Sequence, residues 1–576
     1  MSVENGPVEL LRRRAAESAD RVALVDGAGN TLPYGVWLEE ALWSAAVLRG
    51  MGLQPRGRAV LAFSNADILE YATTYLSVLV LSATACPVPG TYTAREVENA
   101  VRNCRADLVL RPGWRSEMSN AGALPPELDA ERDDFLAQIL LTSGSTAAPK
   151  AVAATYANLA RGLASSYVPV PPAGERDLFV HALPIGGNAA QSMLLTCLTA
   201  PEETRVLPSF DTWRFIDTLG SFPGDAGTLL IPAMASALVA HCRRNGVETI
   251  GNLTNLGLTG GRSRPGLLAA LAKLCPNATI TNFYTTTEAW PAGVSIEYSG
   301  ERPESVGRVR DGRVRVVSGE GRECGPYEVG TVEFLVPGEE RRSYLRSGDA
   351  DAAAGPQVAT DDLGYLDDEN YLYLTGRRTD VIETGGHKVS AAEVEDAVCD
   401  LPYVAEACVF GIPSVSMGSV VVLAAVCEES TGSARLHRDC RERLDPSKCP
   451  AVVLVVDEIP LTHAGKPDKD ALRHMVMEGQ KGAASSHDAH DEPLLERLCQ
   501  LWTELLELER VEPDDSFFLI GGDSLAVVEM LSRVEEDTGI DVDVVDFLEN
   551  QTPRSLACLL GVLPARQSAD SSWTTR

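Results

Sequence analysis

Helical and strand-like hydrophobic patterns alternate over residues 30–145, and this alternation constrains the fold more than any other feature of the chain. Apolar residues recur at helical spacing over Val36 to Arg49 and over Ile68 to Val80. Ala59 to Phe63 and Ala83 to Val88 read as short buried strands. Because such alternation is typical of βαβ crossovers, the sequence predicts a large α/β core built on a mostly parallel, buried sheet.

A polar stretch divides the chain near its C-terminal end. Residues 479–492 (GQKGAASSHDAHDE) are small, polar and without periodicity, which is linker composition. The apolar stripe from Leu494 to Leu508 that follows predicts a helix and a small all-α domain. The predicted division is a large core (1–376), a smaller α+β subdomain (377–478), the linker (479–492), the helical domain (493–562) and a disordered tail (563–576).

Charge and cysteine usage exclude several classes of function. The chain has 81 acidic and 50 basic residues, a formal net charge of −31, which disfavours binding to nucleic-acid phosphates or anionic lipid. No apolar run is long enough to span a membrane, and the N-terminus is unlike a signal peptide. The 13 scattered cysteines form no metal-type spacing, so we expect reduced thiols and a cytoplasmic protein.

One loop has the composition of a phosphate-binding loop. A strand end at Ile139 to Leu141 is followed by a hydroxyl-rich segment and then Lys150. Hydroxyls and backbone N–H groups there would donate to phosphate oxygens, and the lysine would supply charge. Pro149 occupies the position of the second glycine of a Walker A loop, so the segment is not one. The alternative is a Ser/Thr-rich surface turn. The predicted phosphate-binding residues are Thr142, Ser143, Gly144, Ser145, Thr146 and Lys150.

The segment LTSGSTAAPKAV around this loop resembles the phosphate loop of the adenylate-forming superfamily, which includes nonribosomal peptide synthetase adenylation domains, acyl- and aryl-CoA ligases and luciferases. Further motifs follow in family order. They are NFYTTTE at 282–288, TDDLG at 360–364, TGR at 375–377, GGHKV at 385–389 and AGKPD at 464–468. The resemblance implies an adenylation core with a smaller C-terminal subdomain.

The segment FFLIGGDSL at 517–525 is similar to the phosphopantetheine-attachment motif of carrier proteins. The resemblance implies a four-helix carrier domain whose Ser524 takes 4′-phosphopantetheine. Ser524 precedes an apolar helical run, and a helix N-terminus tolerates an added phosphodiester. The alternative for this segment alone is a helix cap after a tight turn. Residues 491–562 contain 18 acidic and 4 basic residues, so the carrier would present a negative surface.

The resemblance also implies a role for each motif residue in the activation of an acid by ATP. The phosphate loop would hold the leaving pyrophosphate, Thr287 and Glu288 would form the Mg²⁺ site, and Lys466 would place its ammonium at the developing acyl phosphate. The residues assigned to adenine and ribose are Asn282, Tyr284, Asp362 and Arg377. For each residue taken alone, an ordinary core, turn or surface role is the alternative.

In the second reaction of this family the C-terminal subdomain rotates and a thiol attacks the acyl group. The resemblance places Gly385 and Gly386 in the turn that faces the thiol, for which a plain hairpin turn is the alternative, and it places the hinge at Thr379, where the family has Asp or Lys. Other departures replace family glycines. They are Ala147, Ala151, Thr285 and Asp361. Each adds a side chain where backbone nears ligand, which we expect to slow catalysis.

The identity of the acid is addressed by the segment LPIGGNAA at 183–190. Adenylation domains for α-amino acids usually place an Asp where this chain has Asn188, and aryl-acid relatives place Asn there, although Gly187 replaces their His. A neutral amide cannot neutralise a buried ammonium, so we expect an acid without a free α-ammonium. The alternative is that Asn188 only caps the following helix. The predicted pocket residues are Asn188, Ala189, Leu229, Gly260 and Phe283.

Together these features predict an enzyme that activates a carboxylic acid as acyl-AMP and loads it on its own phosphopantetheine arm for nonribosomal peptide-type natural-product or antibiotic biosynthesis. The implied cofactors are ATP, Mg²⁺ and 4′-phosphopantetheine. The implied partners are a phosphopantetheinyl transferase and a downstream condensation or tailoring enzyme, and a small accessory activator protein is left open. The alternatives are an α-amino acid substrate, an acyl-CoA ligase with an incidental carrier domain, and a non-catalytic carrier scaffold.

Overall fold

The computed structural model of the chain forms two compact units, one comprising Met1–Leu374 with Thr462–Lys466 and the other Thr375–Leu461 with Pro467–Arg576. The residues that the structure describes are 6–117, 135–142, 150–163, 177–200, 202–310, 312–337, 341–346, 349–350, 356–414, 418–427, 431–462, 465–482, 492–518, 520–522, 524–540, 542, 547 and 550–562.

The first unit is a large mixed α/β core. Its strands are β1 (Val22–Val25), β2 (Thr31–Pro33), β3 (Arg58–Phe63), β4 (Thr84–Pro89), β5 (Leu108–Leu110), β6 (Leu136–Thr142), β7 (Lys150–Thr155), β8 (Leu178–His181), β9 (Glu203–Val206), β10 (Ala226–Leu230), β11 (Leu253–Leu258), β12 (Thr279–Tyr284), β13 (Val294–Glu297), β14 (Ser305–Arg308), β15 (Val314–Val317), β16 (Gly330–Leu335), β17 (Ser343–Arg346), β18 (Asp349–Ala350), β19 (Gln357–Leu366) and β20 (Tyr371–Arg377). Its helices are α1 (Pro7–Ser18), α2 (Tyr34–Gly50), α3 (Ile68–Val80), α4 (Ala94–Cys104), α5 (Tyr156–Leu163), α6 (Asn188–Thr196), α7 (Thr212–Gly220), α8 (Pro232–Arg244) and α9 (Pro265–Leu274).

Three sheets organise this unit. A seven-stranded sheet has the order β18-β17-β7-β6-β4-β3-β5, and an eight-stranded sheet has the order β13-β12-β11-β10-β8-β9-β1-β2. Their central strands pair in parallel, as β3 does with β4 and β10 with β11, and are buried on both faces. The parallel, buried sheet expected from the alternating pattern is confirmed. The third sheet, β14-β20-β19-β16-β15, is antiparallel along β16 and its neighbours β15 and β19.

The second unit contains the smaller subdomain and the helical region. Its strands are β21 (Val381–Thr384), β22 (His387–Ser390), β23 (Val404–Ser414), β24 (Gly418–Cys427) and β25 (Val452–Val455), and its helices are α10 (Ala391–Cys399), α11 (Ser433–Arg443), α12 (Lys469–Gly482), α13 (Glu492–Leu505), α14 (Ser524–Thr538) and α15 (Pro553–Val562). Helix α12 continues through residues 479–482, so the first residues of the predicted linker extend its last turn.

The helical region that follows residue 492 closes around an aromatic cluster. Trp502 and Phe517 are fully buried and pack edge to face with ring centroids 4.9 Å apart, and Phe547 lies 5.3 Å from Phe517. These rings belong to one hydrophobic cluster with Phe410 and Val422 of the subdomain sheet. The apolar stripe read from the sequence is therefore the buried face of α13. Among the helices described, none combines the length and apolar character needed to cross a lipid bilayer.

Candidate active site

The predicted phosphate loop joins the antiparallel strands β6 and β7. Thr142 and Lys150, the residues that flank it, pair directly in the ladder, and the Thr142 hydroxyl donates to the Lys150 carbonyl at 3.4 Å. The loop residues between them, including the predicted ligands Ser143, Gly144, Ser145 and Thr146, lie outside the described residues. The strands form because Leu136 to Leu141 is apolar and mostly buried. The hairpin therefore holds both ends of the loop together where β6 ends and β7 begins.

Tyr344 links the loop lysine to the predicted metal ligand. It lies on β17 opposite Val152 of β7, and the Lys150 ammonium is 5.7 Å from the centroid of its ring. Its hydroxyl donates to Glu288 Oε1 at 2.8 Å. Burial, followed by the charge of Glu288, raises the pKa of Tyr344 above its usual value, so the phenol keeps its proton. Lys150 and Glu288, 138 residues apart, thus share one cluster.

Arg342 connects the residues predicted for substrate and for metal. Its side chain is 3% exposed, and its Nη1 donates to Asn188 Oδ1 at 2.9 Å and to the Thr287 carbonyl at 3.2 Å. The guanidinium carbon lies 4.7 Å from the Trp290 ring centroid, within cation–π range. Sequence reasoning missed both Arg342 and Tyr344, because they lie between the motifs in a segment with no periodic pattern.

Asn188 is the first residue of α6 and does not cap it. The residue in the N-cap position is Gly187, which makes no side-chain capping bond. The Asn188 side chain instead accepts from Arg342. The alternative that this residue only caps its helix is therefore wrong, because the amide oxygen bonds across the fold to residue 342 and not to the first turn of α6.

Two of the four residues predicted to bind adenine and ribose contact each other. The Tyr284 hydroxyl donates to Asp362 Oδ2 at 2.9 Å, and the Tyr284 ring packs at 5.4 Å from Phe334. Asn282 is buried two residues earlier on β12, where its Oδ1 accepts from the Ser263 hydroxyl at 3.2 Å. Asp362 and Tyr284 thus form a hydrogen-bonded pair in the first unit, while Arg377 belongs to the second.

Thr285 stands where relatives have glycine, and the fold accommodates it. Its hydroxyl donates to the Ala292 carbonyl at 2.6 Å, so the added side chain closes the loop that follows β12. This loop carries Thr287 and Glu288, and the bond contributes to its shape. This hydrogen bond offsets the free-energy cost of having a residue other than glycine at this position.

Three adjacent parallel strands bring together part of the predicted substrate pocket. Leu229 of β10 is paired with Gly257 of β11, and a Cβ at Gly257 would lie 2.6 Å from Leu229 Cδ1 and 3.1 Å from Phe283 Cε2. Gly257, which sequence reasoning did not single out, therefore leaves the space that Leu229 and Phe283 occupy. Phe283 is 42% exposed, and Ala189 is half-buried on α6.

Lys466 lies in a tight turn that groups with the first unit. The Thr462 N–H donates to the Lys466 carbonyl at 2.7 Å, and Gly465 has φ +74°. A Cβ at Gly465 would approach Ile231 Cδ1 to 2.5 Å, and one at Gly260 would approach Ile231 Cγ2 to 3.2 Å. Ile231 therefore packs against both the turn of the predicted catalytic lysine and a predicted pocket residue.

The remaining predicted residues lie in the second unit. Gly385 and Gly386, with φ of +53° and +81°, form the two-residue turn of the β21–β22 hairpin, a conformation that favours glycine at both positions. The thiolation turn is thus also the hairpin turn that was its alternative. Thr379 lies in the short helical turn Arg378–Asp380, where Asp380 pairs with the Lys469 ammonium at 2.9 Å.

The predicted attachment serine opens a helix. Helix α14 begins at Ser524, so the residue lies at the positive end of the helix dipole, which suits a phosphodiester. Gly522 precedes it in contact with the aromatic cluster, because a Cβ there would lie 2.1 Å from Phe517 Cδ1. Ser524 as the pantetheine attachment residue stays a prediction, and Asp523 of the motif lies outside the described residues.

A magnesium ion would have few protein ligands here. No group of three His, Cys, Asp or Glu side chains able to hold a metal occurs in the described part of the chain. Glu288 offers one carboxylate, of which one oxygen already accepts from Tyr344. This donor set suits Mg²⁺ that arrives with ATP, since that ion takes most of its ligands from phosphate and water.

Comparison with known proteins agrees with this arrangement. Family models described as AMP-binding enzyme, AMP-binding enzyme C-terminal domain and phosphopantetheine attachment site match residues 11–338, 393–466 and 496–560. The chain is 30% identical to a 2-succinylbenzoate–CoA ligase of Bacillus velezensis over 82% of this chain and 98% of the ligase. It is 27% identical to the probable non-canonical nonribosomal peptide synthetase CymA of Salinispora arenicola, over 95% of this chain and 7% of that synthetase.

Two solved structures share the fold. The A-PCP portion of McyG, in complex with phenylalanyl-adenylate, has a TM-score of 0.66 at 16% identity and covers 96% of this chain and 98% of that one. The 2-succinylbenzoate-CoA synthetase of Bacillus subtilis in complex with AMP has a TM-score of 0.64 at 22% identity, covering 81% and 98%. The chain belongs to the AMP-binding family of AMP-forming ligases and adenylation enzymes, and it carries a C-terminal phosphopantetheine carrier domain.

Proposed function

We propose that this enzyme adenylates a carboxylic acid with ATP and then keeps the acyl group as a thioester on its own carrier domain. An oxygen of the acid attacks the α-phosphorus of ATP and pyrophosphate leaves, so negative charge builds on phosphate oxygens. The observation that carries the proposal is that the phosphate-loop hairpin and the Ser524 helix occur in one chain. The pantetheine arm supplies the thiol that displaces AMP.

Each cluster of the first unit has a role in the proposed first step. Lys150 and Glu288, connected through Tyr344, hold the leaving phosphates and their magnesium. Asp362 accepts from the ribose hydroxyls beside Tyr284. Lys466 stabilises the acyl phosphate, and electrostatic groups of this kind provide most of the catalysis in such reactions.

The acid in this proposal lacks a free α-ammonium. Asn188 is neutral, and the guanidinium of Arg342 donates to its amide oxygen at 2.9 Å. An ammonium placed here would meet a positive charge in a buried setting, which is strongly unfavourable. The 2-succinylbenzoate named for several relatives is likewise an acid without an amine. Downstream condensation or tailoring enzymes would consume the product in natural-product biosynthesis.

Intact-protein mass spectrometry tests the whole proposal. The holo protein, made by co-expression with a phosphopantetheinyl transferase, is incubated with ATP, Mg²⁺ and a library of acids. We expect an added acyl mass that maps to Ser524 and is absent from Ser524→Ala, while pyrophosphate exchange persists in that variant. An adduct on Ser524→Ala, or no exchange with any acid, contradicts the proposal.

A second candidate is an acyl-CoA ligase, favoured by the 30% identity to a ligase over 82% of the chain. The two functions differ in their acceptor thiol. If holo protein supplied with coenzyme A releases acyl-CoA at a rate that Ser524→Ala does not change, and no adduct accumulates on Ser524, the ligase is correct.

A further inference from the structure

Only one of the three nitrogens of the Arg342 guanidinium makes hydrogen bonds to the described residues. Nη1 makes both hydrogen bonds of the side chain, to Asn188 Oδ1 and to the Thr287 carbonyl. Neither Nε nor Nη2 has a hydrogen-bond partner among the described residues. Nε is fully buried in the protein, whereas Nη2 is not, so Nη2 is the donor that a ligand can reach. A guanidinium N–H donates a charge-assisted hydrogen bond to a carboxylate.

The unpaired donors of Arg342 are destabilising in the protein without a bound ligand. Arg342 is 97% buried, and no Asp or Glu of the described residues forms an ion pair with it. Glu288 acts on it from a distance, but that carboxylate already accepts from Tyr344. Burial lowers the pKa of Arg342 to about 10, so the group is still a cation at neutral pH. A buried cation without a counter-charge is destabilising unless a ligand supplies one.

The amide of Asn188 is oriented by the same contact. Because its Oδ1 accepts from Arg342, its Nδ2 is left as a donor. Donors of both residues are therefore available at this position, which lies at the start of α6 next to the pocket residue Ala189. A group that satisfies them must be an acceptor, and an anion satisfies them best.

We infer that Arg342 and Asn188 select an acid with a second carboxylate, which accepts from Nη2 of Arg342 while the first is adenylated. This inference rests on the proposed function and names the substrate class of that site. Asn188 makes the same substrate group a further donor contact. Arg342 is then a specificity-determining residue, and it acts on the end of the substrate that does not react.

Matched acids test this inference by pyrophosphate exchange. The probes are succinate, glutarate, adipate and phthalate, each with its monomethyl ester, together with 4-aminobutanoate and benzoate. For at least one diacid we expect kcat/KM to exceed that of its monoester by about 10- to 100-fold, the range for a hydrogen bond to a charged group. Amino acids should be the poorest substrates.

Variants of Arg342 separate recognition from folding. Arg342→Met should lower the ratio of kcat/KM for the preferred diacid to that for its monoester to about one, and Arg342→Lys should restore part of that ratio. Because Arg342 also donates to the Thr287 carbonyl, its loss should slow both acids by a common factor, so the ratio is the readout. The control is Arg315→Met, which removes an arginine of the same unit that pairs with Glu333 at 2.8 Å. Thermal unfolding shows whether each variant folds.

The results distinguish failure of the diacid inference from failure of the proposed adenylation. Equal or better exchange of monoesters by the wild-type enzyme overturns the inference and leaves adenylation intact, even if Arg342→Met fails to fold. A higher KM for ATP in Arg342→Met with an unchanged diacid-to-monoester ratio also overturns it, because Arg342 then acts on ATP and not on the acid. Absence of exchange with all acids, including those of the wider library, overturns the proposed function itself.

Discussion

At the scale of single residues, the site depends on side chains that bridge the motifs. Tyr344 connects Lys150 to Glu288, and Arg342 connects Asn188 to Thr287. Both bridging residues come from the short segment that leads into and forms β17. Lys150 and Glu288 carry the charges predicted to bind phosphate and metal, and Tyr344 contacts both of them.

Tyr344→Phe should slow adenylation without abolishing it. The substitution keeps the ring under the Lys150 ammonium but removes the bond to Glu288 at 2.8 Å. Loss of a hydrogen bond to a charged acceptor predicts a fall in kcat/KM of about 10- to 100-fold. Pyrophosphate exchange across a range of Mg²⁺ concentrations measures it, and the apparent affinity for Mg²⁺ should fall as well.

Tyr327→Phe is the matched control for that variant. Tyr327 also donates to a carboxylate, that of Asp368 at 2.7 Å, but it is 61% exposed. Its loss should leave exchange unchanged. Equal effects of the two substitutions would show that Tyr344 has no special role.

At the scale of elements, helix and turn ends decide which local structures form. Helix α4 opens with a reciprocal cap, in which Thr93 accepts from the Glu96 N–H and Glu96 accepts from the Thr93 N–H at 2.7 Å. The turn before α14 depends instead on a glycine that touches an aromatic ring. Both contacts are local in the sequence, but Phe517, the ring that Gly522 approaches, also packs on Trp502 and Phe547 of other segments.

Thr93→Ala should destabilise the first unit by about 1 kcal/mol, the usual cost of losing an N-cap hydroxyl. Urea denaturation followed by circular dichroism measures the change in the free energy of unfolding. Glu98→Ala, an exposed substitution on the same helix, is the control and should change stability by less than half as much. A neutral Thr93→Ala would mean that the cap contributes nothing in this protein.

Gly522→Ala should impair the carrier domain. The new Cβ would lie 2.1 Å from Phe517 Cδ1, and Phe517 is fully buried in the aromatic cluster, so the ring or the turn must shift. Overpacking of this kind costs about 1–3 kcal/mol. The fraction of protein converted to the holo form by a phosphopantetheinyl transferase should fall, as measured by intact mass.

Gly432→Ala provides the comparison for that experiment, because a Cβ at Gly432 would meet nothing within 4 Å. It should give a holo fraction equal to that of the wild type. Full conversion of Gly522→Ala at the wild-type rate would contradict the packing argument.

At the scale of the whole molecule, one chain combines an AMP-forming active centre with the carrier that would receive its product. The turn of the predicted catalytic Lys466 groups with the first unit, and the predicted attachment residue Ser524 belongs to the second. Covalent connection of the two raises the effective concentration of the carrier to about millimolar for a short flexible linker. Loading in this architecture should therefore occur within one molecule.

Mixing two variants tests whether loading is intramolecular. Lys466→Ala keeps the carrier, and Ser524→Ala keeps the adenylating site, so a mixture of the two can load only between molecules. The two are mixed in equal amounts at about 1 μM, roughly a thousandfold below the millimolar effective concentration within one chain. We expect acyl transfer in the mixture to be at least about 100-fold slower than in the wild type, with a rate that rises with protein concentration. Equal rates would show that the carriers exchange freely between chains.

The first unit should lose stability in mild acid because of His181. This residue is 97% buried, its Nδ1 accepts from the Leu183 N–H at 3.3 Å, and burial lowers its pKa to about 4 from the usual 6.5. As the pH falls below 6.5, the imidazole is therefore protonated in the unfolded chain, but in the folded chain it stays neutral down to about pH 4. The free energy of unfolding is therefore highest above pH 6.5 and decreases by up to about 3 kcal/mol as the pH falls from 6.5 to 4.

Denaturation curves at pH 7 and pH 5 measure this effect. His181→Asn, whose side-chain oxygen can replace Nδ1 as the acceptor, should lose less stability between the two pH values than the wild type. His474→Asn, an exposed substitution, is the control and should behave as the wild type does. An unchanged pH dependence in His181→Asn would exclude His181 as its source.

Much of the fold follows from local sequence. The helix over Ile68–Val80 and the strand over Arg58–Phe63 agree with the periodicity of apolar residues, because a buried face imposes its own spacing on the chain. The hairpin turn at Gly385 and the cap at Thr93 likewise depend on neighbours within a few residues. Motif order was sufficient to assign the family and the attachment serine.

The sequence by itself thus determined the class of reaction, the parallel core and the candidate residues. Only the tertiary structure decided which of those residues meet, because Arg342 and Tyr344 act across separations of 154 and 56 residues that no periodicity encodes. It also decided that the Asn188 amide oxygen accepts a hydrogen bond from Arg342 and does not cap α6. Local spacing reflects which face of an element is buried, whereas the partner of a buried polar group depends on how distant elements pack.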